Sequence, residues 1–272
     1  MMNTEDTEKY VARTLEAGVE PVELRFLPLY DCTDRSVYGF TGYALINSVL
    51  YGTLTPADYM PALENESAGT ELAVRSLKNT AAALAGTRTD VRRLAYAGVL
   101  CPPSALTDAR LYDRLAALAE HTDQKILKKL HLEFDREILG LERERVLPAF
   151  SDIRAAGFSV AIRGYGESEF PMTALIDTAP DAVFLSPSAV DLFNDREKAA
   201  AVPALVRFAG SLGVRVIAGG VRNDGQVREL NSAECTAFLP SAAYRGAYHL
   251  SAVEGRLPRL LTEREEADGT ER

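Results

Sequence analysis

The sequence predicts an α/β fold, a closed (β/α)8 barrel whose first strand runs antiparallel to its neighbours. Short β-rich runs alternate with longer amphipathic runs along most of the 272 residues. Such alternation is typical of parallel strands joined by helical crossovers. Only residues 31–35 separate the first two strand candidates, which indicates a hairpin and therefore an antiparallel first pair.

Eight strands are predicted, and they fit a TIM-type barrel better than an open sheet, because the glycine fingerprint of a dinucleotide-binding sheet is missing near the first strand. In chain order the strands are Glu23–Leu29, Val37–Leu45, Arg93–Val99, Leu130–Phe134, Phe158–Ile162, Ala182–Leu185, Val214–Ala218 and Cys235–Phe238.

Helical patterns fall between the strands. They cover Gly69–Leu84, Asp108–His121, Glu142–Ala156, Arg196–Leu212 and Asp224–Asn231. Gly157 and Gly213 stand directly before a strand, as glycine C-caps do. Residues 106–108 supply an N-cap for the second helix, and Asn223 or Asp224 supplies one for the last.

The composition is that of a globular protein with an apolar core: 47% of the residues are hydrophobic and 25% are charged. The net charge of −9 argues against nucleic acid or an anionic membrane as partner. No run approaches the roughly 20 apolar residues of a membrane span. The three cysteines, Cys32, Cys101 and Cys235, are odd in number and far apart, so no disulfide framework is expected. We expect a cytoplasmic protein.

One domain is predicted, since neither an internal repeat nor a low-complexity linker interrupts the chain. A polar N-terminal leader covers residues 1–20, the barrel covers residues 21–261, and a charged tail covers residues 262–272. The tail is rich in charge and contains glycine, as frayed termini often are.

The order of several segments resembles the EAL domain, a bacterial family that hydrolyses cyclic di-GMP. The matching segments are "RFLPLYD" (25–31), "VYGF" (37–40), "LTPADYMP" (54–61), "IRAAGF" (153–158), "FPMTALIDTAPDAVFLSPSAV" (170–190) and "SLGVRVIAGGVRNDGQVREL" (211–230). The resemblance implies a modified TIM-type barrel with an antiparallel first strand. It also implies two divalent cations, held by acidic and amide side chains at the strand ends, that activate a water.

The resemblance also shows what this sequence lacks at those positions. Of the family's metal ligands only one glutamate is kept, as Glu133 in "LHLEFD". The substituted positions are Thr41 for the signature glutamate, Arg163 and Gly164 for the paired aspartates, Ser186 for a strand-end aspartate and Gly219 for a late glutamate. The family's nucleotide contacts have become Leu27 and one of residues 45–47. No catalytic residue, metal ligand or cofactor is therefore predicted.

The segment "SVAIRGYGESEF" (159–170) places an arginine where the family has a carboxylate. In this alignment Glu133 and Arg163 end neighbouring strands, so the arginine could supply the positive charge that a buried carboxylate needs. The alternative is that Arg163 points into solvent from the loop. The loop lacks the lysine and hydroxyl residue of a phosphate loop. We take Tyr165, Glu167, Glu169 and Phe170 as a candidate interaction loop.

The histidines are too scattered to suggest a metal site. His131 lies two residues before Glu133 on one strand, so the two side chains share a face. We interpret His131 as a histidine of the barrel interior.

Three functions compete. The first is a catalytically inactive, EAL-like module of bacterial signalling that acts by binding a protein partner, whose identity the sequence does not give. The second is a receptor that binds cyclic di-GMP or another nucleotide, if only weakly, without cleaving it. The third is a hydrolase with a different site, for which no acid–base or nucleophile set can be assembled. A homodimer stays open in each case.

Overall fold

The computed structural model describes most of the chain between residues 22 and 241. The described residues are 9–10, 13, 22–48, 51–63, 66–86, 94–241 and 248–249. The predicted tail, residues 262–272, lies outside them, and so does the predicted leader apart from residues 9, 10 and 13. Within this described part, no helix has the length and hydropathy needed to cross a membrane.

The strands close into a barrel. They are β1 (Val22–Asp31), β2 (Val37–Ser48), β3 (Gly52–Leu54), β4 (Tyr96–Leu100), β5 (Leu130–Phe134), β6 (Ser159–Tyr165), β7 (Ala182–Leu185), β8 (Arg215–Val221), β9 (Ala237–Pro240) and β10 (Tyr248–His249). Strand β1 pairs antiparallel with both β2 and β9, while parallel pairs run from β2 through β4, β5, β6, β7 and β8 to β9. The predicted barrel and its antiparallel first strand are confirmed. The short strands β3 and β10 pair antiparallel with β2 and β1, respectively, and were not predicted.

Helices connect the parallel strands and cover the barrel. They are α1 (Pro56–Tyr59), α2 (Glu66–Gly86), α3 (Leu111–Glu120), α4 (Gln124–Leu127), α5 (Arg143–Ala155), α6 (Met172–Thr178), α7 (Pro187–Val190), α8 (Ala201–Ser211) and α9 (Asp224–Ser232). Single 3₁₀ turns cover Met60–Ala62, Pro103–Thr107, Arg136–Gly140 and Asp191–Asn194. Each long helix buries one apolar face; α8, for example, buries Val202, Val206 and Ala209.

The predicted helix ends agree with the structure where a cap residue marks them. Gly157 and Gly213 follow α5 and α8 with φ angles of 92° and 76°, which a residue with a Cβ adopts only at a cost. The N–H of the residue after each glycine donates to the carbonyl five residues earlier, Phe158 to Ile153 and Val214 to Ala209, as in a Schellman cap. Asn223 accepts a hydrogen bond from Gln226 N at 3.0 Å and is the N-cap of α9.

Two predicted helix starts are wrong. Helix α8 begins at Ala201 and not at Arg196, because the preceding residues form turns in which Asp195 accepts hydrogen bonds from Glu197 and Lys198. Of the predicted cap at 106–108, the first two residues lie in the 3₁₀ turn Pro103–Thr107, and Asp108 directly follows that turn. Asp108 there accepts from Arg110 N at 3.0 Å, and the helix starts only at Leu111.

Strand β6 is longer than predicted, which changes the position of Arg163. The prediction ended this strand at Ile162, whereas β6 continues to Tyr165. Its pairing register with β7 shifts between Ile162 and Tyr165, where Gly164 has a φ of 80°. Irregularities of this kind change the direction in which side chains point at barrel rims. Arg163 is therefore part of the strand and does not lie in the loop.

The barrel interior is filled by alternate residues of the strands, as period-two geometry requires. A separate apolar cluster occupies it, distinct from the larger core between strands and helices. Its buried members are Leu27, Leu29, Tyr96, Ala161, Ala182, Phe184, Ile217, Ala237 and Leu239. The polar side chains described below share this interior, so they depend on one another for hydrogen bonds.

Two glycines near the end of α8 test the cap directly. Neither Gly210, which is helical, nor Gly213, at φ 76°, would bring an added Cβ within 4 Å of another group. We therefore expect Gly213→Ala to lower the free energy of unfolding by about 1 kcal/mol through backbone strain. Gly210→Ala should raise it by about 0.5–1 kcal/mol, since alanine is the better helix former. Urea unfolding followed by circular dichroism measures both.

Equal effects of the two substitutions would contradict this cap assignment, because both sites offer the new methyl group open space.

Candidate functional site

A fully buried carboxylate lies at the carboxyl end of the barrel strands. Glu133, the penultimate residue of β5, has an exposure of 0%. Its Oε1 accepts a hydrogen bond from the Tyr96 hydroxyl at 2.9 Å. Its Oε2 accepts one from the Thr41 hydroxyl at 2.7 Å and one from Arg163 Nη1 at 2.9 Å. Four neighbouring strands thus each contribute one side chain to this network.

Strand register and one glycine bring these groups together. Thr41 pairs with Gly98 on β4, and Leu100 of the same strand pairs with Glu133. A Cβ added to Gly98 would lie only 1.9 Å from Glu133 Oε1. The glycine therefore leaves the space that the carboxylate occupies, because any larger residue would collide with it.

Arg163 lies between two carboxylates and over an aromatic ring. Its Nε is 3.9 Å from Asp135 Oδ1, while its Nη1 bonds to Glu133. Its guanidinium carbon lies 5.0 Å from the ring centre of Phe184, within cation–π range. The arginine side chain is 22% exposed. The pair that the sequence suggested is present, and the alternative of a solvent-directed arginine is wrong.

Burial has the largest effect on the pKa values of Glu133, Asp135 and Tyr96. It raises the pKa of Glu133, while the Arg163 guanidinium and the hydroxyl donors of Thr41 and Tyr96 act to lower it. Burial likewise raises the pKa of Asp135, and Arg163 opposes that rise. The pKa of Tyr96 is well above its ordinary value because the ring is buried beside Glu133. The phenol therefore keeps its proton and donates a hydrogen bond to the carboxylate.

The residues at this site do not fit a pair of divalent cations. Such ions take several oxygen ligands each, yet both oxygens of Glu133 already accept hydrogen bonds and a guanidinium stands 2.9 Å from one of them. Within the described ranges, no group of three or more histidine, cysteine, aspartate or glutamate side chains is placed to hold a metal ion. The positive charge beside Glu133 is that of the Arg163 guanidinium.

The other predicted site positions line a small cavity beside Arg163. Gly164, Ser186 and Gly219 border this space of about 180 Å³ together with Phe184. Ser186 is the N-cap of α7, because its hydroxyl oxygen accepts a hydrogen bond from Ala189 N at 3.1 Å. Of the predicted vestigial positions, only Thr41, Glu133 and Arg163 bond to one another.

The candidate interaction loop is only partly exposed. Tyr165 is fully buried at 0% and donates its hydroxyl to Leu205 O at 2.8 Å. Phe170 is 5% exposed and packs edge-on against Tyr165. The expectation that these two aromatic residues present a contact surface is therefore wrong, because they anchor the loop to the core. Glu167 and Glu169 remain as its accessible part.

Arg136, which the sequence reasoning missed, holds this loop. Its guanidinium forms salt bridges with Glu167 and with Glu169. A Cβ on Gly164 would lie 3.3 Å from Arg136 Cδ, so the arginine stem passes close beneath the loop backbone. Arg136 follows Asp135 in the chain, and the charge alternation of "EFDRE" was the available signal.

A second polar cluster lies deeper in the barrel. The ring of His131 stacks on Tyr96 with centroids 4.0 Å apart. Its Nδ1 contacts Lys129 O at 2.7 Å, and its Nε2 contacts Arg215 Nη2 at 2.8 Å. Burial and the Arg215 charge lower the pKa of His131 to about 3, so the neutral ring donates from Nδ1 and accepts at Nε2. The prediction of an interior histidine is confirmed.

The chain matches one known sequence family and several solved structures. The sequence profile of the EAL domain matches residues 12–239. No curated protein matches the chain. Among solved structures, the EAL enzyme Bd1971, bound to cAMP and cyclic di-GMP, has a TM-score of 0.74 at 16% identity over 92% of this chain and 68% of that one.

Two further structures are similar over nearly their whole length. The FimX EAL domain from Pseudomonas aeruginosa, bound to c-di-GMP, has a TM-score of 0.72 at 16% identity and covers 86% of this chain and 93% of that one. An EAL domain protein from Listeria monocytogenes EGD-e has a TM-score of 0.70 at 19% identity, with coverages of 95% and 98%. At these identities the likeness shows the shared fold alone.

Replacing Arg163 by alanine should destabilise the fold in a pH-dependent way. Since burial raises the pKa of Glu133 above its ordinary 4.5, the folded protein holds this proton more tightly than the unfolded chain does. Ionisation of Glu133 therefore costs stability as the pH rises through the folded-state pKa. Without the guanidinium that pKa rises further. We expect a loss of about 3–5 kcal/mol at a pH above the folded-state pKa of Glu133. The loss should shrink as the pH falls through that pKa, because Glu133 is then protonated in both proteins.

Arg143→Ala is the matched control, because Arg143 forms an exposed salt bridge with Asp177 and should cost less than about 1 kcal/mol at any pH. Urea titrations between pH 4 and pH 8 compare the variants. A loss for Arg163→Ala that did not change with pH would argue against the coupling to Glu133.

Proposed function

This chain belongs to the EAL domain family, and we propose that it is a member that has kept the barrel, has lost metal-dependent hydrolysis and acts by binding a protein partner. One observation carries the proposal: Arg163 Nη1 lies 2.9 Å from Glu133 Oε2, in a network that uses both carboxylate oxygens. A guanidinium at this position opposes the approach of a divalent cation.

Hydrolysis of a phosphodiester has a very high uncatalysed barrier. In the family that this chain resembles, metal ions lower it by activating a water and by stabilising the charge that develops on phosphate. Thr41, Gly164, Ser186 and Gly219 offer no carboxylate to replace the ligands that the resemblance implies. Glu133 alone cannot hold two cations, and its own charge is already neutralised by Arg163.

The same ion pair explains how the barrel persists without metals. A buried carboxylate without a partner costs several kcal/mol. Arg163, with help from the hydroxyls of Thr41 and Tyr96, offsets part of that cost. The scaffold can then serve as a rigid surface in a signalling pathway, since its stability no longer depends on bound ions.

The acidic rim of the mouth is the surface that we assign to a partner. Glu167 and Glu169 stand on a loop whose position is fixed by Arg136 below and by the buried ring of Tyr165. A preordered loop loses little conformational freedom on binding. Its charge favours a partner segment with lysine or arginine side chains.

A second candidate is a receptor that binds a cyclic dinucleotide without cleaving it. The observation in its favour is the flat surface made by the Phe184 ring and the Arg163 guanidinium above it, on which a base could stack. Bd1971 and the FimX EAL domain are described with cyclic di-GMP bound. The cavity of about 180 Å³ is smaller than typical ligand pockets of about 300–1,000 Å³, which favours the first candidate.

A hydrolysis assay tests the loss of activity. We expect no linear dinucleotide from cyclic di-GMP at any concentration of Mg²⁺, Mn²⁺ or Ca²⁺, with product separated by liquid chromatography. The physical reason is that the carboxylates beside Arg163, those of Glu133 and Asp135, are too few to bind the two metals that the reaction needs, and the guanidinium repels a cation. The same sample, titrated with cyclic di-GMP by calorimetry, distinguishes the receptor from the protein-binding module.

Glu133→Ala provides the control against a contaminating enzyme, because a trace of foreign activity would survive it. Metal-dependent product that disappears in Glu133→Ala would refute the proposal. Heat of binding without product would replace the first candidate by the second.

A further inference from the structure

Two of the three cysteines lie together where the barrel closes. Strands β1 and β9 are the first and last strands of the barrel, and their pairing joins its two ends. Cys32 directly follows β1, and Cys235 lies two residues before β9. Their exposures are 2% and 4%, and both belong to the larger core between strands and helices. Both are free thiols.

The backbone brings the two cysteines within reach of a disulfide bond. Asp31 pairs with Ala237 in the antiparallel ladder, and Cys32 N continues it by donating to Thr236 O at 3.2 Å. Cys32 and Cys235 are therefore diagonal neighbours across the closing seam. From the usual strand spacing and rise, diagonal neighbours have Cα atoms roughly 6 Å apart. A disulfide spans about 4.4–6.8 Å between Cα atoms.

The two thiols also interact directly. Hydrogen bonding with the Cys32 thiol is the largest cause that raises the pKa of Cys235 well above its ordinary value, and burial adds to it. The Cys235 thiol has backbone acceptors as well, Val216 O at 3.3 Å and Ala237 O at 3.4 Å. Cys235 therefore keeps its proton near neutral pH, with its sulfur beside that of Cys32.

Cys101 is a natural internal control. It is also buried, with an exposure of 1%, and its thiol donates to Val99 O at 3.3 Å. It directly follows β4, beside Glu133 and away from the β1–β9 seam. Burial raises its pKa, and neither of the other cysteines contributes to that rise.

We propose that Cys32 and Cys235 are a redox-sensitive pair that a peroxide converts into a reversible disulfide, locking the closing seam of the barrel. Disulfides in reducing compartments are usually transient or redox-sensing, which fits a pair held reduced and close together. The pair goes beyond the proposed protein-binding function, and it shares no side chain with the Glu133 network.

The reaction balances with hydrogen peroxide as the oxidant. Since Cys235 holds its proton, the Cys32 thiolate attacks one peroxide oxygen. An S–O bond forms, the O–O bond breaks, and the released hydroxide takes up a proton to become water. The Cys235 sulfur then attacks the sulfenic acid on Cys32. The S–S bond forms, the S–O bond breaks, and the leaving hydroxide takes the Cys235 proton as a second water.

The two thiols thus lose two electrons and two protons, and one peroxide is reduced to two waters. A dithiol reductant reverses the change by thiol–disulfide exchange. Hydrogen peroxide is little larger than water, so a small opening of the seam admits it. In the described part of the chain, Tyr30 with Phe238 and Asp31 with Ala237 are the residue pairs of β1 with β9, so little pairing has to open.

Oxidation would stabilise the barrel at this joint. The two cysteines stand about 200 residues apart in the sequence, and a cross-link that closes a long loop restricts the unfolded chain strongly. The turn that carries Cys32 already contacts α9: Thr33 Oγ1 donates to Asn231 Oδ1 at 3.3 Å, and Arg35 forms a salt bridge with Asp224. The disulfide would make this attachment covalent.

Peptide mapping of the full chain tests the proposal. Trypsin places the three cysteines on separate peptides, residues 26–35, 94–110 and 229–245. The reduced protein is treated with hydrogen peroxide at pH 7.5, unfolded, alkylated with iodoacetamide and digested. We expect mass spectrometry to find peptide 26–35 linked to peptide 229–245, with Cys101 alkylated. Dithiothreitol should abolish the link.

Thermal unfolding measures the lock. The midpoint of the peroxide-treated parent should rise by at least about 5 °C and return with dithiothreitol. Cys32→Ala and Cys235→Ala should show no such rise, whereas Cys101→Ala should behave like the parent. Should either seam variant fail to fold, the mapping of the parent still decides, because it needs no substitution.

Alkylation of both Cys32 and Cys235 after peroxide treatment would overturn the proposal. So would a linked peptide that contains Cys101, a cross-link between two chains on a non-reducing gel, or a linked protein no more stable than the reduced one.

The outcome is separate from that of the hydrolysis assay, since neither cysteine belongs to the site tested there.

Discussion

The structure depends on keeping one carboxylate, that of Glu133, fully buried inside a protein barrel. At 0% exposure this group loses its hydration, and it is tolerated only because charge and hydrogen bonds from the protein replace water. Thr41, Tyr96 and Arg163 supply those donors from three other strands. Gly98 supplies the space. The composition of the mouth follows from this single requirement.

In our proposal, the ion pair between Arg163 and Glu133 both stabilises the barrel and prevents metal-dependent hydrolysis. A divalent cation and a guanidinium can each neutralise a buried carboxylate, but only the cation leaves coordination positions for water and phosphate. Arg163 fills the space with donors that point at Glu133 and with a plane that covers Phe184.

The sequence predicted those features that follow from strand order and local backbone chemistry. Parallel strands with adjacent ends place Glu133 beside Arg163. Gly157 and Gly213 each stand just before a strand, and both have the left-handed backbone conformation of a glycine at a helix end. It did not predict Tyr96 as a donor, because its role depends on the register between β4 and β5 and on the gap at Gly98. Nor could it show that Tyr165 is buried, since that depends on the tertiary contact with Leu205.

A double-mutant cycle between Glu133→Gln and Arg163→Met tests the central claim most directly. The free energies of unfolding of the parent, both single variants and the double variant, measured in urea near neutral pH, give the coupling between the two side chains. The account predicts a coupling of about 2 kcal/mol or more, with the double variant more stable than Arg163→Met alone. Effects that add within about 0.5 kcal/mol would contradict it.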